Sequence, residues 1–148
     1  MSKLSKKDAS LMIGFSRITN YLQREVSLLC NQHDLTQTQF AILEVLYSKG
    51  ELLVGEIQKL ILSTPGNVPY VINNLIKKGY VIKVNVESDK RCSRISLTPA
   101  GKEKIMEILP AHDNLLTEKF ELLAASEKDE LLSLIFKFRN GLKEEEKR

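Results

Sequence analysis

The chain has 148 residues, 43% apolar and 28% charged, with two cysteines and a formal net charge of +3. A chain of this length fits one compact domain with a small extension and buries roughly 70% of its unfolded surface, so its core needs no disulfide or metal. The composition excludes wholesale disorder and collagen-like structure, and the longest apolar runs, such as Leu60-Ile61-Leu62, are too short to span a membrane. The segment Met1 to Lys7 lacks an apolar signal-peptide core. Cys30 and Cys92 form neither a C-x-x-C pair nor a disulfide framework. A reduced cytoplasmic protein without cofactor or metal is the expectation.

The first element is a helix over residues 8–33, on which Leu11, Phe15, Ile18, Leu22, Val26 and Leu29 recur at three- or four-residue steps. Thr36-Gln37-Thr38-Gln39 has the pattern of a capping box. It opens a second amphipathic helix carrying Phe40, Leu43, Leu46 and Tyr47, which Gly50 ends. A short third helix follows at about 54–62, with Val54, Ile57, Leu60 and Ile61 inward. Leu53 stands at its cap position, at a cost of about 1 kcal/mol against a hydroxyl residue.

Pro65 suits the first position of a fourth helix, whose buried side carries Val68, Ile72 and Leu75. Its other side offers Gly66, Asn67, Pro69, Tyr70, Asn73, Asn74 and Lys77, without an acid among them. Lys78-Gly79 ends it, a cation beside a left-handed glycine. The period then changes to two. Tyr80, Ile82, Val84 and Val86 alternate with Val81, Lys83 and Asn85 as a half-buried strand. Residues 87–91 form a polar turn, and Ser93, Ile95 and Leu97, alternating with Cys92, Arg94 and Ser96, return as a second strand. Thr98-Pro99 restarts helix, with Ile105, Met106, Leu109, Leu116, Phe120 and Leu123 in its stripe and Pro110 as a bend. Ser126 is the expected start of a last helix carrying Leu131, Leu134, Ile135, Phe138 and Leu142.

Charge is distributed unevenly. Residues 54–98 carry 7 basic and 3 acidic side chains, net +4, against net +1 for residues 1–53 and net −2 for residues 99–148. A basic middle segment points to nucleic acid, weakly when taken alone.

The order of elements is that of a winged helix-turn-helix, and several runs resemble the MarR family of bacterial transcriptional regulators. They are Leu43-Glu44-Val45-Leu46-Tyr47, Gly55-Glu56-Ile57, Gly66-Asn67-Val68, Asn74-Leu75-Ile76-Lys77-Lys78-Gly79, and Asp89-Lys90-Arg91 leading to Leu97-Thr98-Pro99-Ala100-Gly101. The last run, a wing tip followed by a strand and a helix start, is the most specific. The resemblance covers Phe40 to about Leu123. It implies a mainly α fold with a small β-hairpin wing: an N-terminal dimerisation helix over 1–35, a winged helix-turn-helix DNA-binding domain over 36–98, and C-terminal dimerisation helices over 99–148. It also implies a homodimer on a pseudo-palindromic double-stranded operator, acting as a repressor released by a small apolar or aromatic ligand or by thiol oxidation. The alternative is a winged-helix protein–protein module without DNA binding, for which Pro69 and the small net charge speak. Pro69 either forfeits a bond in the first turn or marks a later helix start.

Within that reading Asn67, Tyr70, Asn73, Asn74 and Lys77 face the major groove, where Asn bonds adenine and Lys reaches guanine or phosphate. Gly66 and Pro69 share this face, and Ser63 and Thr64 meet phosphate at the helix start. Arg91 is assigned to the minor groove, oriented by Asp89, with Lys90 and Arg94 on phosphates. Cys92, beside Arg91, and Cys30, on the first helix's stripe, are candidate redox sensors against the blander alternatives of exposure and packing. His33 and His112 read as surface or cap residues, and no catalytic or metal-binding motif is present, so an enzyme is not expected.

Overall fold

The computed structural model describes residues 6–61, 67–86 and 89–148, and only the backbone of 86 and 89–92. Its elements are α1 (Lys6–Gln32), α2 (Gln37–Lys49), β1 (Leu52–Leu53), α3 (Val54–Leu60), α4 (Val68–Lys77), β2 (Val81–Val86), β3 (Asp89–Leu97), α5 (Pro99–Phe120) and α6 (Ala125–Glu146). The strands form one antiparallel sheet in the order β1-β3-β2. The chain divides into two compact units, residues 1–112 and 113–148.

In the first unit the core is built from one stripe of each helix. Phe40, Ile42, Leu43 and Leu46 of α2, Ile57 of α3, Val68, Ile72 and Leu75 of α4, and Ile105 and Ile108 of α5 are all buried. Val26 and Cys30 bring the C-terminal half of α1 into this core. Its N-terminal half stays outside, with Leu11 59%, Met12 68% and Ile18 60% exposed. The capping box forms as the spacing predicts: the Gln39 amide donates to Thr36 Oγ1 at 3.1 Å, and the Thr36 amide donates to Gln39 Oε1 at 2.9 Å. Leu53 caps α3 without a side-chain bond.

Several boundaries differ from the sequence reading. Helix α3 stops at Leu60, because Ile61 turns to extended backbone after its amide donates to the Ile57 carbonyl at 3.1 Å. Helix α4 starts at Val68, with Asn67 at the cap position but making no side-chain capping bond, which puts Pro69 in the first turn, where a missing N–H removes no ladder bond. Pro65, the expected first residue, lies outside the described residues. The sheet gains β1, whose two residues are too few to show a period; Leu52 pairs with Ile95 and Leu53 with Arg94. In β2 the inward residue is Val81, while Ile82 and Val84 are exposed. On α5 the buried residue that replaces Met106 is Ile108, one turn after Ile105.

In the second unit, α6 starts at Ala125 rather than at Ser126. Glu127 supplies the cap, its Oε1 accepting from the Ala124 amide at 2.8 Å. No residue of α6 is buried; Leu131, Leu134 and Leu142 are among its exposed apolar side chains. Among the described residues no helix is long and apolar enough to cross a membrane.

One junction ties α4, the sheet and α5 together. Helix α4 ends in a Schellman motif: the Gly79 amide donates to Ile76 O at 2.9 Å and the Tyr80 amide to Leu75 O at 3.0 Å, with Gly79 at φ 79°. Thr98 then closes the far end of the wing onto the same spot. Its amide donates to Tyr80 O at 3.1 Å, its hydroxyl donates to Gly79 O at 2.6 Å, and that hydroxyl accepts from the Gly101 amide at 3.0 Å. Gly101 is required here. A Cβ at that position would fall on the Tyr80 carbonyl oxygen and lie 2.9 Å from its carbon.

Urea unfolding of Gly101→Ala is expected to show a loss of about 1–3 kcal/mol, the cost of overpacking against backbone. Gly55→Ala, where an added Cβ meets nothing within 4 Å, is expected to be neutral or to gain up to about 1 kcal/mol.

Candidate nucleic-acid interface

Helix α4 has 10 residues and is therefore about 15 Å long. Val68, Val71, Ile72 and Leu75 bury one side of it against the core. This leaves Asn67, Pro69, Tyr70, Asn73 and Lys77 on the exposed side, with Tyr70 66% exposed. Asn74 sits half-buried at the flank, where its carbonyl accepts from the Lys78 amide at 3.0 Å. The expected groove face is thus brought together on one helix side, except that Asn74 lies at its edge. Ser63, Thr64 and Gly66 lie outside the described residues.

Strands β2 and β3 form the wing beside α4. Their register runs regularly from Val81↔Leu97 to Asn85↔Ser93, then jumps to Val86↔Asp89. Lys90, Arg91 and Cys92 thus have no opposite residue on β2 and form a bulge. Such bulges twist a hairpin and redirect its side chains. Strand β3 also starts earlier than the sequence suggests, at Asp89, so Asp89 to Arg91 belong to the strand and not to the turn. The polar composition of 87–91 concealed this, because turn and solvated strand tip use the same residues. The side chains of Asp89, Lys90, Arg91 and Cys92 lie outside the described residues.

Arg94 is exposed on β3, opposite Val84 and Leu53. Lys83, counted in the basic segment without a role, is exposed on β2. The His33–Glu107 contact at 3.2 Å and the Lys104–Glu107 ion pair at 3.8 Å do not engage Lys77, Lys83 or Arg94. Lys78 acts differently. Its Nζ donates to the Asp34 carbonyl at 2.7 Å and ties the end of α4 to the α1–α2 turn. There Asp34 takes a left-handed φ of 58°. Periodicity placed Lys78 at a helix end but carried no signal for this long-range bond.

Cys30 is fully buried. Burial pushes its thiol up from 9.0 to about 11; a backbone hydrogen bond lowers it and the nearby Glu44 charge raises it further. This environment favours packing over thiolate chemistry. His33 and His112 are not plain surface residues. His33 Nδ1 lies 3.2 Å from Glu107 Oε1 on α5, and the His112 ring packs on Phe40 at a centroid distance of 4.9 Å. Among the described residues no group of three or more His, Cys, Asp or Glu is placed to hold a metal ion.

A buried amphipathic helix with a polar outer face, flanked by a wing and braced by a short helix, defines a winged helix-turn-helix. The comparisons agree. Residues 24–108 match the SarA/Rot transcriptional regulator family. The chain is 34% identical to the uncharacterised HTH-type transcriptional regulator YkoM of Bacillus subtilis, over 72% of this chain and 69% of that protein. Its fold matches that of mutant MarR from Escherichia coli complexed with operator DNA, with a TM-score of 0.81 and 22% identity over 93% of this chain and 99% of that one. It also matches the organohalide-sensing regulator RdhR in its 2,4-dichlorophenol-bound form, with a TM-score of 0.81 and 21% identity over 94% of this chain and 83% of that one. The chain belongs to the MarR/SarA family of DNA-binding, winged helix-turn-helix transcriptional regulators.

The Cys30 environment has a measurable consequence. A thiol whose pKa is raised in the folded state contributes stability that is fully present below the unfolded pKa and is lost as pH rises through the folded one. In a Cys92→Ser background, unfolding free energy is therefore expected to decline between pH 9.0 and about 11 by more than in the same background carrying Cys30→Ala. Alkylation of Cys30 at about pH 8 is expected only after denaturant is added.

Proposed function

We propose that the chain is a homodimeric repressor that binds a pseudo-palindromic operator and is released by a small apolar or aromatic ligand. The observation that carries this reading is the outer face of α4: Asn67, Tyr70, Asn73 and Lys77 stand exposed together on a helix whose opposite side is buried. In a major groove about 12 Å wide, Asn73 meets a base edge and Lys77 a guanine or phosphate. Pro69 limits approach on the N-terminal side, and Ser63, Thr64 and Gly66 belong to the phosphate-contacting approach to the helix. The wing runs beside the neighbouring backbone, with Arg91 in the minor groove, Asp89 orienting it, and Lys90 and Arg94 on phosphates.

Dimerisation is supported by what one chain leaves uncovered. Leu11, Met12 and Ile18 of α1 and Leu131, Leu134 and Leu142 of α6 are all exposed. On each unit taken by itself, these exposed apolar side chains support an interface. This supports a division of labour in which 1–35 and 99–148 dimerise and 36–98 reads DNA. Release by a ligand is supported by RdhR, a fold neighbour bound to 2,4-dichlorophenol. Oxidation at Cys30 is the weaker route, since that thiol is sealed and protonated. Pro69, which spoke for a protein–protein module, sits where a helix start accepts proline, so it weighs little against DNA binding. A regulator of this kind works in the cytoplasm, where bacterial DNA is.

Fluorescence anisotropy with DNA from upstream of its own gene tests the reading. Binding is expected to weaken steeply with salt. Asn73→Ala is expected to cost about 1–3 kcal/mol on the specific site and little on random DNA. Lys77→Ala is expected to weaken both and to lower the log–log salt slope by about one. Arg91→Ala is expected to cost affinity most on sites with A·T-rich flanks. No binding at low salt, or a monomer by size-exclusion, contradicts the proposal.

A further inference from the structure

In the first unit, α1, α2 and the end of α3 enclose a half-open groove of about 440 Å³. Its polar lining consists of Gln23, Gln37, Thr38 and Glu44, and its apolar lining of Ala41, Val45, Leu60 and Ile61. Among the described residues no Lys, Arg or His lines it, so Glu44 is its one charged group. Glu44 is half-buried, and among the described residues it forms no ion pair. A carboxylate partly removed from water and facing an apolar wall is best compensated by a cation. Gln37 and Glu44 are seven residues apart on α2, about 10 Å along the helix. The groove is therefore long enough for a flat ring with a short charged arm. Ala41, between them, leaves the middle open.

We propose that this groove binds an aromatic or apolar amine, whose ammonium pairs with Glu44 and whose body lies against Ala41, Val45, Leu60 and Ile61. An aromatic acid would bring a second negative charge to Glu44 and is excluded. The site is placed to affect DNA binding. Leu60 and Ile61 are the last described residues before α4, so a body wedged between them and α2 displaces the brace of the recognition helix. This regulatory part rests on the reading of the chain as an effector-released repressor. The binding part does not.

Isothermal titration calorimetry with tryptamine and with indole-3-acetate separates charge from shape, because the two share a ring and differ in the sign of the arm. The full-length protein is expected to bind tryptamine with Kd below about 1 mM, at least about tenfold tighter than indole-3-acetate. Glu44→Gln is expected to weaken tryptamine about tenfold or more and to erase the preference. Ala41→Phe, which fills the groove, is expected to abolish tryptamine binding, with circular dichroism showing that both variants fold. No tryptamine binding, or equal binding by the parent and Glu44→Gln, overturns the proposal. Saturating tryptamine is expected to weaken DNA binding by the parent and to leave that of Ala41→Phe unchanged. Tryptamine binding without an effect on bound DNA overturns the regulatory part. A protein that retains no DNA at all refutes the repressor reading, and the calorimetry still decides the site.

Discussion

The contact between Tyr80 and Gly101 governs the geometry of the reading head. Helix α4 cannot be aimed at a groove unless the wing beside it is held at a fixed angle, and this is where both meet α5. The Schellman end of α4 turns the chain at Gly79. Tyr80 then presents its carbonyl to Thr98, at the far end of the hairpin, and Gly101 allows α5 to approach that carbonyl directly. Thr98 serves both sides, capping α5 through Gly101 and binding Gly79 through its hydroxyl. Because backbone groups and the Thr98 hydroxyl form the closure, it does not depend on the side chains of the wing strands.

Around this junction the chain separates burial from display. Each helix of the first unit gives one stripe to the core, and the surface left over is sorted by chemistry. The outer side of α4 is polar or basic, while the free half of α1 is apolar. In the proposed function the first meets the anionic groove and the second meets a copy of the same chain. The charge balance repeats the sorting, with the +4 of residues 54–98 on the α4 and wing region and a slight negative excess after residue 98. Lys78 is the exception within the basic segment: its ammonium bonds Asp34 O and braces the fold.

Much of this was legible in sequence because it is local. The Thr36–Gln39 box, the Lys78-Gly79 stop and the Thr98 cap are each decided within a few residues, and all form. The face of α4 was legible for the same reason, since helical period sorts residues without reference to the rest of the molecule. What was not legible depends on distant partners. Two-residue β1 exists only because β3 is there to pair with it. The bulge at 90–92 is a property of two strands, so neither strand's alternation reports it. Ser126 reads as the helix start, and only the bond from the Ala124 amide shows that Glu127 supplies the cap instead. The Glu44 groove was invisible because its lining comes from three helices whose residues, read singly, look like ordinary surface.

Whether two copies of α4 read one operator is measured most directly by hydroxyl-radical footprinting of the protein on DNA from upstream of its own gene. Two protected stretches are expected on each strand, with centres about one helical turn, roughly 34 Å, apart and related by a pseudo-dyad. A single protected stretch, or uniform protection without a dyad, would contradict a dimer reading two half-sites.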